Sequence, residues 1–326
     1  MCENKNTMPK VSVIIPVYNA GLFIERCARS LFEQTLEDIE YIFIDDCSPD
    51  DSIEVLQKVI AEYPKRKDSI TIVRHETNTG QSGARKTGMH IAKGEYIIHC
   101  DADDWVDVDM YERMYSLAVE KNVEAVCCDI ILECDGFSRV LRCNNEYEDH
   151  ELMYGCIAPI SVEYFSMCNR LVSRKVYERQ MIDPFKGVNM WDDVGLSIRV
   201  RYYIQSTAVI NEPFYHYNRI NMTSTTKRPV LDRVKEQVAC VNHIEDFFRK
   251  ENDIERYSLF LSYLKLHTKE ELFSYDAVLW LNTFKEVRKD IWRLRDKFRS
   301  KYVRRYYVLI YGGFFGKLIW KMFWKK

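Results

Sequence analysis

The run Val11 to Val17 is β-prone throughout, the mark of a strand buried on both faces. Such a strand needs helices above and below it, and the pattern that follows supplies them. Leu22 to Phe32 has helical spacing, Glu40 to Ile44 is a second strand, and Ser52 to Glu62 is a helix. Ile70 to Val73, Gly83 to Ala92, Glu95 to Cys100, Met110 to Lys121 and Val123 to Leu132 continue as strand, helix, strand, helix and strand. Alternation of this kind predicts an α/β fold with a doubly wound, mostly parallel sheet. Beyond Asp135 the pattern loosens. Helix is expected at Asn169–Val176 and Val194–Tyr203, and short strands at Thr207–Ile210 and Phe214–Tyr217. From Val230 the chain reads as helix almost to its end.

Glu95 to Cys100 delivers three carboxylates, Asp101, Asp103 and Asp104, at its C-terminal end. Open α/β sheets bind ligands just outside the carboxyl ends of their strands. Clustered carboxylates are costly without a cation, and Mg²⁺ or Mn²⁺ commonly bridges one or two of them to substrate phosphates. A metal–diphosphate site is therefore expected here. Three further clusters belong with it. Pro16-Val17-Tyr18-Asn19 closes strand one, where a turn would lie over a nucleobase; the same residues also make an ordinary turn. Asp45-Asp46 closes strand two, where Asp46 suits a base or ribose and Ser48 or Asp50 suits a helix cap. Asn78 to Lys86 has glycines spaced G-x-x-G at Gly80 and Gly83, neither a dinucleotide fingerprint nor a P-loop, which argues against a dehydrogenase or a P-loop ATPase. Arg85 and Lys86 near a helix N-terminus oppose the helix dipole, and a rule broken locally points to function unless they are a plain surface pair. Far along the chain, Trp191-Asp192-Asp193-Val194 offers either a helix start or a general base.

In order, these clusters resemble the inverting glycosyltransferases of family 2, which have the GT-A fold. The resemblance spans Pro9 to Thr226 and takes in Asn169-Arg170-Leu171 and Tyr215-His216-Tyr217-Asn218-Arg219 followed by Ser224. It implies that Pro16, Tyr18 and Asn19 lie at the base, with Asp46 on the base or ribose. Gly80, Arg85, Lys86, Asp101, Ala102 and Arg219 would serve the nucleotide-sugar, Asp101 at the ribose. Asp103 and His216 would serve the metal, Mn²⁺ or Mg²⁺, and Asp193 would be the catalytic base with Asp192 as its rival. Two departures stand out: Lys86 replaces the usual Asn, and Asp192-Asp193 replaces Glu-Asp. The implied reaction moves a sugar from a nucleotide-diphosphate sugar, with a lean toward uridine, to a hydroxyl of a glycan or lipid-linked acceptor. The alternative is a non-catalytic sugar-nucleotide-binding scaffold. A nucleotidyltransferase would carry a Gly-rich loop with Arg and Lys where this chain has Tyr18-Asn19-Ala20-Gly21-Leu22.

The expected organisation is a catalytic domain over 1–228, with a nucleotide-sugar half at 9–105 and an acceptor half at 106–228, and a helical, basic extension over 229–326. Donor specificity is expected around Gly155 to Met167. A net charge of −2 over 326 residues hides an asymmetry, for 14 Lys and Arg face three acidic residues from Lys285 onward. A basic helix with Trp, Tyr and Phe on its apolar side suits an anionic membrane surface, whereas packing on the domain is the plainer use. No nucleic-acid recognition pattern is present. The 11 cysteines have no Cys-x-x-Cys spacing, which predicts reduced thiols. With a polar start and no long apolar span, the expected place is the cytoplasm, peripheral on the inner face of the membrane.

Overall fold

The computed structural model describes residues 8–143, 165–222, 225–295 and 300–324. Its first five strands are β1 (Val11–Val17), β2 (Ile39–Asp45), β3 (Ile70–Arg74), β4 (Tyr96–His99) and β5 (Trp105–Val106). The rest are β6 (Ala125–Cys134), β7 (Phe137–Leu141), β8 (Arg170–Ser173) and β9 (Thr207–Asn218). They form one sheet in the order β3-β2-β1-β4-β8-β6-β9-β5, with β7 beside β6. β1, β2, β3 and β4 pair in parallel, while β8 runs antiparallel between β4 and β6.

Strand pleating explains the layers, since alternate side chains point to opposite faces. Val13, Ile15, Tyr41, Phe43 and Ile98 join Leu31 of α1 (Ile24–Phe32), Leu56 of α2 (Ser52–Glu62) and Met114 of α4 (Met110–Lys121). Their neighbours Ile14, Ile42, Ile44 and Ile97 face the other way. These pack with Ala84 of α3 (Gly80–Ile91), Val176 of α5 (Arg174–Gln180) and Leu196 of α6 (Asp192–Tyr203). The sheet is thus covered on both faces, and its two apolar layers are built from the same strands.

Strand order also locates the site. The chain steps outward from β1 to β2 to β3 and then returns to the other side of β1 for β4. That reversal is a topological switch point, where the turns leaving neighbouring strands diverge and open a crevice. Val17 is in register with Asp45, and Ile14 with His99. Asp46 and Asp101 therefore emerge at the same end of the sheet.

Two expectations change. Arg170–Ser173, expected to be helical, is a fully buried strand, and the helix begins only at Arg174. Four residues are too few to show a period of two. The strands expected at 207–210 and 214–217 are one continuous strand, β9. Pro213, which has no N–H to donate, sits opposite Asp129 where the β6–β9 register shifts.

The described residues fall into two compact units: those within Met1–Glu148 and Tyr164–Thr223 form the first, and those within Ser224–Lys326 the second. The second is helical, with α7 (Val230–Lys250), α8 (Ser258–Thr268), α9 (Glu270–Tyr275), α10 (Ala277–Asn282), α11 (Ser300–Tyr311) and α12 (Gly313–Phe323). Phe248, Phe260, Phe273, Trp280 and Tyr306 are buried within it. Among the described residues no helix is long and apolar enough to cross a membrane.

Close packing of α3 on the sheet depends on Gly88, where a Cβ would lie 2.4 Å from Ile14 Cγ2. Alanine is the better helix former by ~1 kcal/mol, yet overpacking of a filled core costs about 1–3 kcal/mol. Gly88→Ala is therefore expected to lower the urea midpoint, and a rise would show that α3 does not press on β1.

Candidate active site

The site starts from Asp46, just past β2. Its Oδ1 accepts from the Thr79 backbone N–H and Thr79 hydroxyl, both at 2.8 Å, and its Oδ2 accepts from the Gly80 N–H at 2.7 Å. His75 Nδ1 lies 2.7 Å from Oδ1. These N–H groups are the unpaired donors of a helix start, so a buried carboxylate from the next strand caps α3. Gly80 is required there: its φ is +78°, and a Cβ would meet the Asn189 amide at 2.1 Å. The cap supplies the compensation for cations near this helix start. Asp50 rather than Ser48 accepts from the Ser52 N–H at the head of α2, at 3.3 Å, and its other oxygen accepts from the Gly21 N–H at 2.8 Å.

The α3 helix separates its two cations. Arg85 turns inward and is 1% exposed. One of its terminal nitrogens donates to Asp101 Oδ1 at 2.7 Å, and its Nε lies 3.4 Å from Asp192 Oδ2. Lys86 turns outward and pairs with Asp183 at 2.7 Å, as does His90. The structure brings Arg85 to the carboxylates and leaves Lys86 in a surface cluster.

Around β4 the carboxylates have distinct surroundings. Asp101 also accepts from Gln81 Nε2 at 3.0 Å. Asp103 accepts from Asn221 Nδ2 at 2.7 Å, and burial with the nearby charge of Asp101 pushes its carboxyl up to about 6. Asp104 is buried, bonded by the Tyr215 hydroxyl and by the Asn218 N–H at 2.8 Å. Burial, then Asp103 and Asp101, hold Asp104 well above the usual carboxylate range. Tyr215 Oη also accepts from the Asp101 N–H at 3.3 Å, so one side chain of β9 ties this turn at two points. Ala102 is buried inside the turn.

His216 lies beside this turn but is engaged elsewhere. Its Nδ1 is 2.8 Å from Glu133 and its Nε2 is 3.1 Å from Asp107. The ring stacks on Trp105 at 4.9 Å, and the Arg26 guanidinium carbon lies 3.3 Å over the same indole. Both ring nitrogens thus face carboxylates other than Asp103. Among the described residues no group of three or more His, Cys, Asp and Glu side chains is arranged to hold a metal ion. Cations that also bind substrate phosphates need only one or two carboxylates, so the oxygen donors of Asp103 and Asp101 still fit one.

Asp192 and Asp193 open α6 behind Trp191, whose φ of +69° is rare for a bulky residue and costs about 1–3 kcal/mol. Asp192 is buried against Arg85, whereas Asp193 is partly exposed and accepts from the Val194 N–H at 2.8 Å. Burial raises both carboxyls, for Asp193 together with the charge of Asp192. Just past β1, Tyr18 and Asn19 are exposed, Asn19 with a φ of 52°, and Pro16 within the strand is half-buried. Arg219 is exposed, and its N–H donates to the Glu133 carbonyl at 2.9 Å. Of the segment expected to set specificity, residues 155–164 lie outside the described residues, as does Ser224.

The positioning residues Asn221, Gln81 and the hydroxyl of Tyr215 were not assigned roles from sequence. Tyr215 carried a signal by standing next to His216, and Gln81 by lying within Asn78 to Lys86.

With this geometry in view, comparison with known proteins identifies the class. Residues 12–180 match the description "Glycosyl transferase family 2". The uncharacterized glycosyltransferase EpsJ of Bacillus subtilis is 41% identical over 255 residues, covering 72% of this chain and 71% of that protein. The putative glycosyltransferase EpsH of the same organism is 28% identical over 267 residues, covering 80% and 75%. Among solved structures, S. aureus TarS 1–349 in complex with UDP-GlcNAc aligns with a TM-score of 0.68 at 14% identity, covering 92% of this chain and 87% of that one. The mannosyltransferase PcManGT from Pyrobaculum calidifontis, in complex with GDP-Man and Mn²⁺, aligns at 0.55 and 16%, covering 97% and 84%. The chain belongs to glycosyl transferase family 2, and its fold is that of the GT-A enzymes.

Removing one partner of a buried ion pair costs about 3–5 kcal/mol. Arg85→Met is expected to lower stability by that order above neutral pH, where Asp192 would lie buried and charged without its partner. Protonation should relieve much of the loss under mildly acidic conditions. Urea titrations at the two pH values check this, and equal losses would contradict it.

Proposed function

We propose that this enzyme transfers a sugar from a nucleotide-diphosphate sugar, a uridine nucleotide by preference, to a hydroxyl of a glycan or lipid-linked acceptor, with inversion at the anomeric carbon. The observation that carries the reading is the junction at Arg85, which holds Asp101 from the end of β4 and Asp192 from the head of α6 around one guanidinium. Names of relatives add support: TarS was solved with UDP-GlcNAc, and PcManGT with GDP-Man and Mn²⁺.

Pro16, Tyr18 and Asn19 flank the base, with Asp46 holding the start of α3 beside it. Asp101 binds the ribose. Asp103 is the residue that would hold a divalent cation, with Asp101 as its neighbour. When bound, the cation supplies charge neutralisation at the departing diphosphate. Asp193 is the base: its partial exposure lets it reach an acceptor, and among the described residues no guanidinium forms an ion pair with it as Arg85 does with Asp192. The acceptor oxygen forms a bond to C1 while the bond from C1 to the diphosphate oxygen breaks. The leaving electron pair stays on that oxygen, and the hydroxyl proton passes to Asp193. A single displacement of this kind inverts the configuration. The working place is the inner face of the membrane, where lipid-linked acceptors lie.

A donor screen with Mn²⁺ or Mg²⁺, read as release of nucleoside diphosphate, tests the assignment. Asp103→Ala should abolish release from the active donor, and Asp193→Asn should lose about 10²–10⁴-fold, the usual share of a general base. A base works ionised, so a raised pKa moves the acid limb of the rate profile above the ordinary carboxylate range, with activity lost as pH falls through it. Asp192→Asn removes a neighbouring negative charge and should shift that limb to lower pH while turnover persists. If Asp192→Asn abolishes turnover and Asp193→Asn does not, the base is Asp192.

A further inference from the structure

The second unit buries one side of its last two helices and leaves the other bare. Tyr306 of α11 packs on Phe273 and Trp280 at centroid distances of 5.0 and 4.9 Å, and Trp320 of α12 donates its indole N–H to the Phe273 carbonyl. That is the packing a helical cap would use. Phe314, Phe315, Leu318, Ile319, Met322 and Phe323 remain 38 to 77% exposed. Trp292, Tyr307 and Tyr311, also exposed, continue as an aromatic row with spacings of 6.1 and 4.5 Å. Contiguous exposed apolar side chains on this scale mark an interaction surface.

We propose that this face is a docking surface for an anionic lipid bilayer, with α12 lying in the headgroup plane. Charge selects the partner. From Ser300 to Trp324 there is no Asp or Glu, and Arg304, Lys317 and Lys321 are exposed. Lysine stems bury along apolar surface while their ammonium groups reach anionic headgroups. A second copy of the chain fits poorly. A two-fold interface pairs a patch with itself and would set the same cations against one another with no carboxylate between them. Length selects the geometry, since the 11 residues of α12 fall short of the ~20 needed to span a bilayer. The helix is held at a fixed bend. Gly313 has a φ of +54°, and a Cβ on Gly316 would lie 2.3 Å from the Val308 carbonyl oxygen, so α12 starts tight against the end of α11.

Co-sedimentation of the full chain with vesicles tests the surface without any turnover, so its result stands apart from that of the donor screen. Wild-type protein should sediment with phosphatidylglycerol–phosphatidylcholine vesicles and stay in the supernatant with phosphatidylcholine alone. Lys317→Gln/Lys321→Gln should weaken partitioning by about thirtyfold, the factor two cations near such a surface carry. Phe314→Ser/Phe315→Ser should lose binding while keeping its melting temperature and its nucleoside diphosphate release. Equal binding by wild type and either variant, or no wild-type binding to anionic vesicles, overturns the proposal. So does a concentration-dependent dimer in sedimentation velocity that the phenylalanine variant dissolves, because the face then belongs to a second copy.

Discussion

A fully buried guanidinium holds this catalytic unit in its working form. Arg85 sits among carboxylates from two distant parts of the chain, Asp101 at the end of β4 and Asp192 at the head of α6. A buried charge needs compensation, and so do buried carboxylates. Neither set is tolerable alone. The placement of Arg85 follows from α3, whose start is fixed by Asp46 and whose face is pressed on β1 at Gly88. One electrostatic requirement thus links strands β2 and β4 to helices α3 and α6, and it does so at the topological switch point of the sheet.

The remaining negative charge lies around that junction. Asp103 is raised by burial and Asp101, Asp104 by burial, Asp103 and Asp101, and Asp193 by burial and Asp192. Such a cluster disfavours the charged form of its own residues until a ligand or cation shares the space. Three of the seven described non-glycine residues with positive φ lie in the same places. Asn19, Cys47 and Trp191 have positive φ, and each lies beside a residue of the site. The surrounding packed sheet holds these conformations where isolated loops would relax.

Much of this was legible in the residues. The buried strands, the helices between them and the carboxylate-bearing strand ends follow from apolar runs and period. The helix expected at Val194–Tyr203 is there too, starting two residues earlier at Asp192. What escaped has physical reasons. β8 is four residues long, and its side chains are all buried, so no alternation marks it. The roles of Arg85 and Lys86, adjacent in sequence, diverge because a helix turns about 100° per residue. The neighbours of His216, Glu133 and Asp107, come from other parts of the chain, and no local spacing reveals them. The asymmetry of the last two helices was visible as composition; which side is buried depended on Phe273 and Trp280.

The central claim is a division of labour: Asp103 belongs to donor and cation, Asp193 to the acceptor's proton. Calorimetry of nucleoside diphosphate binding with and without Mn²⁺ tests it most directly. Asp193→Asn should bind like wild type, with the same dependence on Mn²⁺, although it turns over poorly. Asp103→Ala should lose the Mn²⁺-dependent part of binding. Mn²⁺-dependent binding that survives in Asp103→Ala, or disappears in Asp193→Asn, would contradict the account.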